Sequence, residues 1–294
     1  MTSSLLSIVI AFAAYSIMNI GQAVQKIGLT IMPKKKVPGA VLWVLGLFSA
    51  TAATFLIMWA VSLGSVALVG AMAGTGLASL TLFSRFVMKE KSGLKEIIGV
   101  ALIFTAAVVI GIAARKSADS EIRLIRHYIF GGVVCVLYML GWLIFAKKPR
   151  IAGPLIGGFG GALGGLIPLF QKIASSSIGV EHSFVKAAAV PAETAALIRR
   201  LLSLFANPFA VIWIALSLLS VFVLQFSYKK AEAIRIIPVF TVNFIIIPVV
   251  GGVLSFGEAL AAVQWIGVAV IIGAVCLITF SFGKGADRQG PANP

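Results

Sequence analysis

Nine runs of roughly 20 apolar residues, separated by connections in which basic residues collect, restrict this chain to one kind of fold. Inside a bilayer no water satisfies the backbone amides, so a run of that length must close its own hydrogen bonds as an α-helix. The runs fall at about 4–27, 40–61, 65–87, 95–114, 127–146, 152–176, 207–228, 233–255 and 260–282. A water-soluble alternative fails on composition: 60% of residues are hydrophobic, 11% are charged and the mean hydropathy is +1.08, whereas soluble domains carry about a quarter charged residues. The expected class is therefore an all-α polytopic membrane protein.

The net charge of +15 would suggest nucleic acid in a soluble chain. Here the bases sit between apolar spans, which is the pattern of topogenic charge, and no nucleic-acid partner is expected. Most of the 24 Lys and Arg fall on one side if the N-terminus is outside, among them Lys34 to Lys36, Lys147, Lys148, Lys229, Lys230 and Lys284. That predicts an integral protein of the plasma (inner) membrane, N-terminus outside and C-terminus cytoplasmic, with lipid around it. Residues 1–27 lack a basic leader region, so no cleavable signal is expected. Cys135 and Cys276 lie inside spans, which supports neither a disulfide nor a metal site, and no cofactor is expected.

The chain also repeats itself. Glu258 stands 168 residues after Glu90, and at that same offset Ile266-Gly267-Val268-Ala269 falls on Ile98-Gly99-Val100-Ala101. Independently, Gln25-Lys26-Ile27 near the end of the first span recurs as Gln171-Lys172-Ile173 near the end of the sixth. Two four-helix units joined directly would point the same way across the bilayer, whereas one extra crossing inverts the second. The expected layout is a first repeat at 1–114, an inverting fifth span with its flanking loops at 115–151, a second repeat at 152–282 and a flexible cytoplasmic tail at 283–294. Within the long connection at 177–206, Pro191 opens a segment with Leu197, Leu201, Leu204 and Phe205 on one face, an interfacial amphipathic helix. Inverted repeats are the recurrent architecture of secondary transporters, because the halves can exchange conformations around a central site.

Candidate residues follow from polar side chains in apolar surroundings. Tyr15, Asn19, Gln22 and Lys26 are spaced by four, three and four residues and so share one helix face. Such a stripe is costly against lipid and is expected to face protein, through helix–helix hydrogen bonds, or a substrate. Thr75 and Asn243 are repeat-related and fall near the middle of their spans. Lys26 and Lys172 are related in the same way; a lysine near a helix end ordinarily snorkels to the interface, and the alternative is that it attracts an anionic group. The sixth span carries Gly153, Gly157, Gly161 and Gly165 at every fourth position, a strip for close helix packing. Whether the partner helix lies in the same chain or across a homodimer stays open at this level. Glu90 and Glu258 open helices and fit a capping or gating role, while no Asp or Glu lies deep inside a span.

The segment Lys230 to Pro238, KAEAIRIIP, looks like the phrase that opens a helix in EamA-type members of the drug/metabolite transporter superfamily, and Phe256-Gly257-Glu258 resembles the "LGE" that follows it. A looser first copy reads AVSLGSVALV from Ala60 to Val69, then Met88-Lys89-Glu90. The nine-helix layout, Gly21 with Lys26-Ile27-Gly28-Leu29, and a glycine-rich sixth span ending in Lys172 are similar to the NIPA-type magnesium transporters. The chain departs from that branch at Gln225 to Lys230, QFSYKK, where the branch has an asparagine-rich phrase. The resemblance implies alternating access and, for the NIPA-type branch, magnesium transport.

The leading expectation is a secondary transporter or facilitator for a small polar or anionic metabolite, with or without an amphiphilic tail. Its site would be lined by Tyr15, Asn19, Gln22, Lys26, Thr75, Lys172 and Asn243. The alternative is magnesium or another divalent cation, passing largely hydrated. A non-transporting scaffold is a third class. An enzyme is not expected, since His127 and His182 lie at or beyond the span edges and no nucleophile or HExxH arrangement is present.

Overall fold

The computed structural model describes residues 3–87, 93–113, 124–179, 191–228, 230–231 and 233–286. Helices run as α1 (Ser3–Ile31), α2 (Lys36–Leu63), α3 (Val66–Ala71), α4 (Ala73–Phe86), α5 (Leu94–Ala113), α6 (Leu124–Phe145) and α7 (Pro149–Ile178). They continue as α8 (Pro191–Ser203), a 3-10 turn at Leu204–Ala206, α9 (Pro208–Tyr228), α10 (Ala233–Phe256) and α11 (Ala262–Ala286). Among the described residues all regular structure is helical.

Local chemistry sets the boundaries. Pro149, Pro191 and Pro208 each open a helix, where the missing amide hydrogen costs nothing. Asn207 caps α9, its Oδ1 accepting from the amides of Phe209 (2.9 Å) and Ala210 (3.3 Å). Gly179 and Gly257 follow α7 and α10 with φ of 62° and 66°, the left-handed conformation that glycine adopts without a Cβ penalty. At Met72 the helix is interrupted. The Thr75 hydroxyl donates to the Met72 carbonyl at 2.6 Å, satisfying an oxygen that the break exposes.

Taking α3 and α4 as one crossing, seven helices among the described residues are long and apolar enough to span a bilayer: α1, α2, α3–α4, α6, α7, α9 and α10. In α5 and α11 the apolar stretches are shorter, Ile97–Ile110 and Ala262–Ile278. The α3–α4 crossing and α7 are each 72% buried, against 11% for α6 and 17% for α9, which puts the former pair at the centre and leaves the latter facing lipid.

Close backbone-to-backbone approach at glycines recurs between helices. On α1, a Cβ at Gly28 would lie 2.6 Å from the Trp43 nitrogen of α2. On α7, a Cβ at Gly161 would sit 2.8 Å from both the carbonyl carbon and the Cα of Phe240. The other members of that strip meet Ala231 (Gly153), just before α10, and Ile236 (Gly157) and Ile247 (Gly165) on it, so the helix against the strip is α10 of the same chain. α1 packs on α2 and α4, α7 packs on α9 and α10, and α5 packs on α11.

The segment opened by Pro191 is helical, but its expected apolar face is divided. Leu201 and Leu204 pack on the core while Phe205 is exposed. The 3-10 turn advances 120° per residue instead of 100° and carries Phe205 off that face.

Candidate functional site

The densest polar cluster lies where α7 ends against the α2–α3 connection. Lys172 and Glu258 are both buried there, their side chains 10% and 2% exposed, with Nζ 3.5 Å from Oε1. Lys172 does not snorkel: Nζ donates to the Gly64 carbonyl at 2.7 Å and lies 5.8 Å from the centre of the Phe256 ring. Glu258 does not cap the helix that follows it, because residues 259–261 separate it from α11. The left-handed turn at Gly257 instead sends it back into the bundle. There Oε2 accepts from the Ser65 hydroxyl (2.7 Å) and the Ala67 amide (2.9 Å), and Oε1 accepts from the Val66 amide (2.7 Å). A carboxylate on the free amides of a helix start is favoured by both hydrogen bonding and the backbone dipoles. Gly252 makes room, since a Cβ there would strike Glu258 Oε2 and stand 2.8 Å from the Ala67 nitrogen.

Aromatic rings close this cluster on one side. His127, from α6, is 1% exposed; its ring centre is 4.4 Å from that of Phe170 and 6.1 Å from that of Phe256. Among the described residues neither ring nitrogen has a hydrogen-bond partner. Sequence reasoning placed His127 at a span edge and saw no role in it; its contact with the neighbours of Lys172 and Glu258 is a tertiary fact.

A second set of polar groups occupies the middle of the bundle. Tyr15 is buried, its ring edge-on to Phe244 of α10 at 6.4 Å, and its hydroxyl has no partner. The Asn19 amide donates to the Tyr15 carbonyl at 2.9 Å and lies against Gly76 of α4, while the Ser16 and Ser79 hydroxyls are 2.8 Å apart. Thr75 is fully buried and engaged with Met72. Across the bundle, the Tyr138 hydroxyl of α6 donates to Asn243 Oδ1 at 2.6 Å, and Asn243 Nδ2 donates to the Val239 carbonyl at 2.8 Å. Tyr138 was missed because a single tyrosine ten residues from the polar start of α6 carries no periodic pattern.

The structure thus joins Tyr15, Asn19 and Thr75 along the α1–α4 seam. Asn243 lies on the α6–α7–α10 side, and Lys172 is at the end of the bundle with Glu258. Gln22 is exposed on α1. The Lys26 side chain and Glu90 lie outside the described residues. A cavity of about 240 Å³, lined by Thr81, Leu82, Arg85, Phe86, Ile97 and Val100, opens between α4 and α5, away from both polar sets.

These features define a polytopic α-helical integral membrane protein with polar and charged side chains enclosed between its helices. A comparison with curated proteins finds 30% identity over 154 residues with the probable magnesium transporter NIPA9 of Arabidopsis thaliana, covering 49% of this chain and 45% of the relative. The chain therefore spans about half the length of the curated relative it matches. No family model matches the sequence, and no solved structure matches it.

Proposed function

We propose that this chain is a secondary transporter or facilitator of the drug/metabolite type, moving a small polar or anionic solute by alternating access between two inverted four-helix halves. The observation that carries it is the burial of Tyr15 and Thr75 between the helices, with Asn19 and Asn243 partly buried on α1 and α10 and the Tyr15 hydroxyl buried without a partner among the described residues. A bundle that only spanned the membrane would gain by replacing that hydroxyl, whereas a polar substrate satisfies it in passing. The likeness of the helix pairings in the two halves supports the repeat, as does the transport named for the Arabidopsis relative.

In this reading Tyr15, Asn19, Thr75 and Asn243 contact the solute by hydrogen bonds, and Lys172 with its repeat counterpart Lys26 supplies positive charge toward either face. Glu258 and Glu90 act at the two ends. The protein sits in the plasma (inner) membrane with its N-terminus outside, and a homodimer is compatible with the remaining lipid-facing surfaces.

A second reading, magnesium or another divalent cation as the solute, is favoured by the relative's name. Among the described residues no group of three His, Cys, Asp or Glu is placed to hold a metal ion, so the cation would pass largely hydrated, held by amides and carbonyls.

Uptake into liposomes containing the purified protein tests both. Saturable uptake of a small polar or organic anion, accelerated by the same solute on the far side, is the expected result. A panel of such solutes left untouched, with magnesium entering in competition with Mn²⁺ or Co²⁺, overturns the first reading for the second. No flux of either kind leaves a membrane scaffold.

A further inference from the structure

We propose that Lys172 and Glu258 form a latch that holds the two halves together at the end of the bundle where α7 finishes, and that this end opens by an exchange of their partners. The proposal rests on the alternating-access reading and adds to it the contact that must break.

Four hydrogen bonds cross from the second half to the first at this point: Lys172 to the Gly64 carbonyl, and Ser65, Val66 and Ala67 to the Glu258 carboxylate. Both charged residues belong to the second half, and the groups just named lie in the short connection between α2 and α3 (Gly64 and Ser65) and in the first turn of α3 (Val66 and Ala67). The ion pair itself is therefore not the bond across the seam. Its separation of 3.5 Å exceeds the roughly 2.7–2.9 Å of a charge-assisted hydrogen bond, whereas Nζ donates to the Gly64 oxygen at 2.7 Å.

When the α2–α3 connection withdraws together with the start of α3, Glu258 loses these donors and Lys172 loses the Gly64 carbonyl in the same movement, and each finds the other at hand. The charges stay neutralised in both arrangements, so the open form does not strand a carboxylate or an ammonium among the rings of His127, Phe170 and Phe256. Two discrete hydrogen-bonding arrangements of the same groups are what a reversible gate requires. Ser255, 1% exposed, lies next to Phe256 and three residues before Glu258 in the chain.

The test places single cysteines in a chain whose Cys135 and Cys276 are replaced by alanine. Ser255→Cys reports the latch end. Gln22→Cys, on the exposed part of α1, reports the other, about 22 Å further along the helix than Ser7, which packs on Gly64. The probe is a charged, membrane-impermeant maleimide applied to protein in liposomes opened to both sides.

With Glu258→Gln, labelling at position 255 is expected to rise at least tenfold while labelling at position 22 falls; Ser65→Ala, which removes one donor, gives a smaller rise. Lys172→Met also raises labelling at 255, and the double substitution adds less than the two singles. Unchanged labelling at 255 in both Glu258→Gln and Ser65→Ala overturns the latch. A rise at a cysteine placed at buried Ser220 equal to that at 255 also overturns it, since that is loss of fold. A rise at 255 with no change at 22 keeps the latch as a local gate and instead defeats alternating access.

Discussion

Glu258→Gln should lower the stability of the folded protein by about 3–5 kcal/mol, the range for removing one partner from a buried charge pair. The structure shows where that cost arises. Two donors, the Ser65 hydroxyl and the Ala67 amide, converge on Oε2, and one, the Val66 amide, meets Oε1. A glutamine in the same rotamer keeps an acceptor at only one of those positions. Its carbonyl is best placed at Oε2, which turns its amide hydrogens toward the Val66 nitrogen and Lys172. An unsatisfied buried amide costs about 1–3 kcal/mol. The 3.5 Å charge separation gives a Coulomb energy of ~5 kcal/mol at an effective dielectric constant of ~20, which bounds the remainder. Reversible unfolding in mixed detergent micelles, run on Glu258→Gln, Lys172→Met and the double substitution, measures both terms. A coupling energy above about 1 kcal/mol is expected. A loss under about 1 kcal/mol for Glu258→Gln, with coupling under about 0.5 kcal/mol, would refute the electrostatic account of this corner.

Gly161→Ala should destabilise by about 1–3 kcal/mol, because its Cβ would meet the Phe240 backbone, which cannot swing aside as a side chain can. Gly131→Ala on lipid-facing α6 has open space around the new methyl and should instead stabilise by up to ~1 kcal/mol; the same unfolding assay separates the two. His127→Leu should raise the melting temperature, since it removes two buried nitrogens without partners and keeps apolar volume between Phe170 and Phe256. Tyr138→Phe leaves the Asn243 oxygen without its 2.6 Å donor and should cost about 1–2 kcal/mol, read by the same unfolding curves.

The helical elements were legible because apolar run length and proline positions are local properties. Pro149, Pro191 and Pro208 stand at helix starts, and most boundaries lie within a few residues of the apolar runs. The site was legible only as a set of residue types. Lys172 and Glu258 could be singled out, yet nothing local says that they meet each other. Their pairing depends on the left-handed turn at Gly257 and on the space left by Gly252, both consequences of how α10 reaches the α2–α3 connection. The regular spacing of Tyr15, Asn19 and Gln22 suggested one continuous polar face. In the fold Tyr15 is enclosed and Gln22 exposed, because the bundle around α1 is not equally tight along its length.

The glycine seam between α7 and α10 has a mechanical consequence. Where main chains touch directly there is no cushion of flexible side chains to slide over, so these two helices travel as a single stiff beam. Glu258 and Lys172 ride on that beam, one just past the tip of each helix pair's shared end and one on α7 itself. A displacement of that pair would therefore reach Gly64 through the Lys172 hydrogen bond and Ser65, Val66 and Ala67 through the Glu258 carboxylate.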